Sequence, residues 1–387
     1  MRIGLWGFLL LASTWVFSAG QSPEDRLSQV FEAIEANRLD DALRRVDALI
    51  GEYPNFRLAH LVRGDLLLAR ARPLETFGNV AKTVPGERID GLREEALARL
   101  RALRSRPGGD RLPRYVLQLH PEQKHALVVD SRRSRLYIFA NASGAPRLVA
   151  DYYVTLGKNG VEKTREGDQK TPIGVYHVTA NLPRRKLTDF YGAGAFPINY
   201  PNEWDRRQGR NGYGIWLHGV PSDVYSRPPR ASDGCLVLAN PDLESVGRHV
   251  QVGLTPVIIA DEVEWSDAAA IAAERAALAG AFEQWRADWQ SRDTERYLAH
   301  YSSRFASGEG QDHSGWAAHK RKVNGAKRWI KVGVSRVAMF RYPRERDFVV
   351  VIFDQDYRSD RFSNAMRKRQ YWVKEGASWK IIYEGAG

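Results

Sequence analysis

The sequence predicts three structural blocks: an N-terminal α-helical segment, a mostly-β domain and a C-terminal α+β domain. Three observations carry this fold class. From about Pro23 to Arg106, apolar residues recur at helical spacing, with no strand-like alternation. After the Arg106-Pro107-Gly108-Gly109-Asp110 linker, short alternating strands punctuated by Gly and Pro run to about Asp261. From about Ala268 a long helical pattern precedes four strand-like runs, the order expected of an α+β unit. A length of 387 residues also asks for more than one domain.

Residues 1–20 read as a signal peptide. Met1-Arg2 gives a basic start, Leu5 to Phe17 an apolar run, and Ser18-Ala19-Gly20 the small residues of a cleavage site. The run is short for a membrane span, which needs about 20 residues. The expectation is therefore an exported protein of the bacterial periplasm or cell envelope, with no stable transmembrane segment after cleavage. Lys and Arg number 58 against 46 Asp and Glu, a net charge of +12 that favours an anionic partner. Export argues against nucleic acid and toward an acidic envelope polymer. A hydrophobic content of 43% supports packed cores rather than disorder.

Within residues 22–106, Leu39, Ala42, Leu43, Val46 and Leu49-Ile50 mark one buried helix face. Tyr53-Pro54-Asn55 breaks the helix, and a second begins near Leu58. The stretch resembles a tetratricopeptide-type (TPR-like) helical hairpin. A single repeat cannot bury its own apolar face. The segment is thus expected to pack on the next domain or on an envelope protein partner.

The chemistry concentrates between Gly214 and Pro241, in "GIWLHGVPSDVYSRPPRASDGCLVLANP". Cys235 is the only cysteine, so no intrachain disulfide can form. A lone thiol in an oxidising compartment is a liability unless it is buried or used. Its neighbours point to use. The apolar strand "GIWLHG" delivers His218 to its end, and Gly219 lets the chain turn away. Seventeen residues after His218 comes Ser232-Asp233-Gly234-Cys235. A thiol is largely protonated at neutral pH and needs a base to become a nucleophile. Histidine can take that proton and return it to a leaving amine. Gly234 permits a tight turn whose backbone N–H groups face a tetrahedral oxyanion.

These residues resemble the L,D-transpeptidase (YkuD-type) catalytic domain, whose signature is His-Gly, a gap of about fifteen, then Ser-x-Gly-Cys. "KTPIGVYHV" at Lys170–Val178 and "FPINYPNEWD" at Phe196–Asp205 are similar to further marks of that family. The resemblance covers about 114–262. It implies attack by Cys235 on the peptide bond after meso-diaminopimelate in a peptidoglycan tetrapeptide stem, giving a thioester and free D-alanine. His218 is then base and acid, Ser232 a supporting residue, and Gly234 the shaper of the oxyanion loop. Transfer to a second stem makes a cross-link, whereas water makes the enzyme an L,D-carboxypeptidase. Transfer is placed first. A non-catalytic stem-peptide binder is the rival from another class, and the intact His218–Cys235 pair argues against it.

Two departures bear on substrate binding. Asp233 stands where many relatives have His, and Val237 where many have Arg. The missing guanidinium removes a fork for a substrate carboxylate. Arg227 or Arg230 is the candidate replacement. With Tyr200, Gly219 and Asp233 they make up the expected substrate-binding set, and the loop from Val220 to Ala231 is expected to wall an acceptor cleft.

With "WRADWQSRDTERYLAHYSSRF" and "SWKIIYEG" as the matching parts, residues 266–387 resemble the cone-shaped domains related to nuclear transport factor 2 that follow YkuD domains in some peptidoglycan-trimming enzymes of curved or helical bacteria. That resemblance keeps hydrolysis in play. Trp316, Trp329, Tyr342, Phe353, Trp372 and Trp379 are read as core, and the basic run from Lys320 to Lys331 as a solvated face. His300, His313 and His319 lack metal-ligand spacing, no phosphate-binding loop is present, and no metal or cofactor is expected.

Overall fold

The computed structural model describes residues 22–79, 86–105, 107–108, 110–142 and 145–387. The expected signal peptide at 1–20 lies outside the described residues.

Four helices open the fold: α1 (Pro23–Glu35), α2 (Leu39–Glu52), α3 (Arg57–Ala69) and α4 (Gly86–Arg104). A capping box at Ser22 and Asp25 starts α1, with Pro23 in its first turn. Leu43, Val46 and Leu49 on α2 face Leu58, Val62 and Leu66 on α3 in one core. That core also contains Tyr225 and Ala239 from the β domain, so the hairpin buries its free face there.

The β domain runs through β1 (Leu112–Pro113), β2 (Val116–Gln118), β3 (His125–Asp130), β4 (Arg135–Ala142), β5 (Ala145–Tyr153), β6 (Leu156–Gly157), β7 (Gly174–His177), β8 (Leu182–Pro183) and β9 (Gly194–Pro197). It continues with α5 (Glu203–Arg207), β10 (Trp216–His218), β11 (Arg230–Ser232), β12 (Leu236–Val237), α6 (Asn240–Gly247), β13 (Pro256–Ala260) and β14 (Trp265–Ser266). Its five-stranded sheet has the order β5-β4-β3-β13-β7. β3 pairs in parallel with β13, and Ala126 to Asp130 are all buried, as a strand covered on both faces requires. A second sheet, β12-β10-β9-β8, carries the candidate site.

The C-terminal unit comprises α7 (Ala268–Ser291), α8 (Thr294–Leu298), β15 (Tyr301–Ser307), α9 (His313–Gly325), β16 (Ile330–Arg341), β17 (Phe348–Ser359), β18 (Ser363–Glu375) and β19 (Ser378–Ala386). Its sheet has the order β15-β19-β18-β17-β16-β2. The sixth strand therefore comes from residues 116–118, which sequence reading counted with the β domain. Val116 pairs with Phe340, while Leu117 enters the core under α7.

Trp316, Phe353 and Trp372 do lie in the C-terminal core, Tyr342 sits in the core shared with the β domain, and Trp379 packs at the core edge. Trp329 differs, remaining 43% exposed. The basic run is not uniformly solvated either. Lys320 is folded over the Trp316 ring at 4.1 Å, and its burial pulls the ammonium pKa down to about 8. It shares a cavity of about 350 Å³ with Lys327, Lys368, Trp289 and Tyr357.

One continuous core joins the β domain to the C-terminal sheet, with Val128, Phe139, Val175 and Ile258 on one side and Phe340, Val350 and Tyr371 on the other. Trp204 of α5 is its wedge, tilted against Phe348 at 4.5 Å and stacked on Tyr371 at 5.3 Å. Trp204→Ala should cost about 3–5 kcal/mol, the usual range for an emptied aromatic site. Urea unfolding of the variant against the parent protein measures this, and a loss below about 1 kcal/mol would show the two units to be energetically independent.

Candidate active site

The site is set by one strand register. β10 and β12 pair in parallel, Leu217 opposite Leu236 and His218 opposite Val237. Leu217 and Leu236 both point into the core. Side chains alternate along a strand, so Trp216 and His218 share the other face. Cys235 immediately precedes β12, in step with Trp216, which places it diagonally beside His218. Its thiol donates to the Gly214 carbonyl at 3.3 Å and receives the Trp216 N–H.

His218 is buried to 1% exposure between aromatic walls, with ring centroids 5.1 Å from Tyr191 and 5.8 Å from Phe190. Its Nδ1 lies 2.7 Å from the Gly219 carbonyl oxygen. A carbonyl only accepts, so Nδ1 carries the proton and Nε2 keeps the lone pair of a base. Gly219 is pinned in turn by its N–H to Tyr191 O at 3.1 Å. A Cβ there would collide with Asn240 Oδ1, which accepts from the Ala193 and Val220 N–H groups at 2.8 and 3.2 Å.

The turn before the thiol is stapled by Ser232. Its hydroxyl donates to the Cys235 carbonyl at 2.6 Å and accepts from the Gly234 N–H at 3.2 Å. The Gly234 N–H is thus engaged within the turn, whereas the Cys235 N–H meets no acceptor among the described residues. Gly234 sits at φ +125°, and a Cβ there would fall 2.7 Å from Lys170 O. Thr171 completes the staple, donating to Gly234 O and accepting from Gly157 N–H, each at 3.0 Å.

The other sequence candidates separate. Asp233 is exposed and held by Lys158 and Gln169, each at 3.0 Å. Arg227 lays its guanidinium 5.0 Å from the Phe190 ring centre, and its charge acts on both Cys235 and His218. Arg230 instead leaves β11 toward Gly160 and lines a cleft with Arg101 and Arg132. Tyr200 is buried at 6% exposure, its hydroxyl on Asn211 O at 3.0 Å, which makes it a support of the core. The Val220–Ala231 loop is no open wall: Tyr225 turns away from the thiol into the helical segment. Sequence reading missed Thr171, Asn240, Phe190 and Tyr191. Only Thr171 had a local signal, inside "KTPIGVYHV".

Residues 124–259 match the L,D-transpeptidase catalytic domain family (YkuD), and residues 277–385 the Cds6 C-terminal NTF2-like domain. The chain carries an L,D-transpeptidase catalytic domain followed by an NTF2-like domain. Among solved structures it is similar to Bd1075 of Bdellovibrio bacteriovorus, at 29% identity over 71% of this chain and 97% of that one, with a TM-score of 0.62. It is also similar to the helical cell shape determining protein Pgp2 of Campylobacter jejuni, at 25% identity over 71% of this chain and 94% of that one, with a TM-score of 0.60. No curated protein sequence matches the chain.

The electrostatics of the transpeptidase-type site define its resting state. Burial, helped by Arg227, pulls the His218 pKa down to about 4. Burial also raises the Cys235 thiol above its ordinary value, the Trp216 N–H and Arg227 opposing it and Asp233 adding to it. At neutral pH the pair is therefore thiol and neutral imidazole, not thiolate and imidazolium. Alkylation of Cys235 by iodoacetamide should climb roughly tenfold per pH unit through pH 7–9, because the thiolate is a minor species there. The acid limb of kcat/KM should fall near pH 4, where His218 protonates, rather than near the ordinary imidazole value. An alkylation rate flat between pH 6 and 8 would show an ion pair instead.

Proposed function

We propose that the protein is a peptidoglycan L,D-carboxypeptidase working through a Cys235 thioester. The YkuD-type domain makes the chain a peptidoglycan-acting enzyme of the transpeptidase and carboxypeptidase class. The observation that carries the mechanism is the β10–β12 register, which puts Cys235 and His218 on the same face of the sheet, two positions apart, with Nδ1 held by Gly219 O so that Nε2 is free to serve as base. Nε2 takes the thiol proton as Sγ attacks the carbonyl carbon of meso-diaminopimelate in a tetrapeptide stem. The Cys235 N–H donates to the oxyanion. The S–C bond forms, the C–N bond breaks, and His218 returns its proton to the amine of departing D-alanine. Water, deprotonated by His218, then opens the thioester to a tripeptide carboxylate.

Water is the preferred acceptor on two grounds that reverse the order given by the sequence alone. The Val220–Ala231 loop, expected to wall an acceptor cleft, is bound to the helical segment through Tyr225. The two-domain arrangement also extends over nearly the whole of a helical cell shape determining protein, and trimming of stems fits a role in cell shape. Transfer remains the second reading, favoured by the catalytic domain's family.

The test is incubation of the mature protein with disaccharide-tetrapeptide, followed by mass analysis. Tripeptide and free D-alanine without dimer is the expected result. Dimer lacking one D-alanine would assign transfer. Cys235→Ala should abolish turnover while the protein stays folded, and retained turnover would remove Cys235 from the chemistry.

A further inference from the structure

The helical segment does more at this site than cover an apolar face. It grips the Val220–Ala231 loop at several points around Arg227. Tyr225, 4% exposed, stacks on Phe56 at 4.1 Å and meets the edge of Tyr53 at 5.3 Å. Ser226 donates to Glu95 of α4 at 2.7 Å, and Glu95 is itself held by the buried Arg99 guanidinium at 2.8 and 3.0 Å. Pro228 packs on α4 at Gly91. From below, Tyr153 and Thr155 donate to the Arg227 carbonyl at 2.9 and 3.0 Å. The backbone of Arg227 is thus fixed between two blocks of the protein.

Its guanidinium, by contrast, is half-buried and has no carboxylate within ion-pairing distance among the described residues. It lies against Phe190, the same ring that walls His218. A partly desolvated cation without a counter-ion is costly unless a ligand supplies the anion. The reaction supplies one. His218 must protonate the leaving amine, and in a departing amino acid the carboxylate is joined to the carbon that bears that amine. A cation beside His218 therefore faces that carboxylate, in the role left open by Val237, which is buried in the sheet.

We infer that the helical segment is part of the active site, positioning Arg227 to bind the terminal carboxylate of the stem peptide's leaving residue. This rests on the function proposed above. Arg227 is the binding residue, and Tyr225 and Ser226 are positioning residues that act through it.

The experiment compares a tetrapeptide stem ending in a free carboxylate with the same stem ending in an amide, using the full mature protein. For the unaltered protein, amidation should lower kcat/KM about 10- to 100-fold, the range for losing a charged hydrogen bond. Arg227→Gln should lose activity on the acid and discriminate little between acid and amide. Tyr225→Leu and Ser226→Ala should raise KM for the acid more than they lower kcat, and shrink the discrimination. Their circular dichroism spectra should match the parent, showing that the fold is intact. Full discrimination by Arg227→Gln would overturn the inference, as would Tyr225 and Ser226 variants that lose acid and amide activity equally. Failure of the unaltered protein to process either stem would instead strike the function on which this inference rests.

Discussion

The parallel pairing of β10 with β12 is the constraint on which the site depends. Two short strands with buried Leu217 and Leu236 on one face leave Trp216, His218 and Cys235 on the other. Because side-chain direction alternates at every residue, a slip of one position would turn the thiol into the core and a leucine out of it. Apolar burial therefore enforces the geometry of the candidate site, at roughly 1.5–3 kcal/mol per leucine. The Ser232 staple and the Thr171 bridge then fix the turn that the strand pairing leaves open.

Desolvation sets the chemical character of the pair. The aromatic walls that orient His218 also withhold water from it, so the imidazole stays neutral far below its ordinary pKa. The thiol is likewise kept protonated, which protects a single cysteine from oxidation, since the thiolate is the reactive species. The Arg227 charge favours thiolate and disfavours imidazolium together.

The three blocks are coupled through buried residues, not tethered by linkers. β2 completes the C-terminal sheet, Trp204 crosses into its core, and Tyr225 crosses into the helical core. Charged groups reinforce the second junction: Glu24 of α1 meets both Arg99 and Arg135, and Arg135 also pairs with Asp151. Such a buried network weakens sharply if one member is removed. The helical segment thus shares the rigidity of the loop beside the thiol.

Much was legible in the linear sequence because it depends on local period and on residue type. Helical spacing marked Leu39 to Leu49, alternation marked the hairpin of β3 and β4, and the lone Cys235 after His218-Gly219 pointed to the candidate site. What failed were statements about which side chains meet. Tyr200 looked like a substrate contact and is a core residue, Lys320 looked solvated and is folded over Trp316, and residues 116–118 joined the sheet of a different domain. Asn240 at the start of α6, and Phe190 and Tyr191 ahead of β9, meet Gly219 and His218 only through the packing of separate elements. By itself the sequence determined the element types and the order of the blocks, and pointed to Cys235 and His218 as the candidate nucleophile and base, since these follow from backbone periodicity and intrinsic side-chain chemistry. Only the tertiary structure decided the protonation states, the place of Arg227 and the joining of helical segment to active-site loop, because burial and charge proximity arise between residues far apart in the chain.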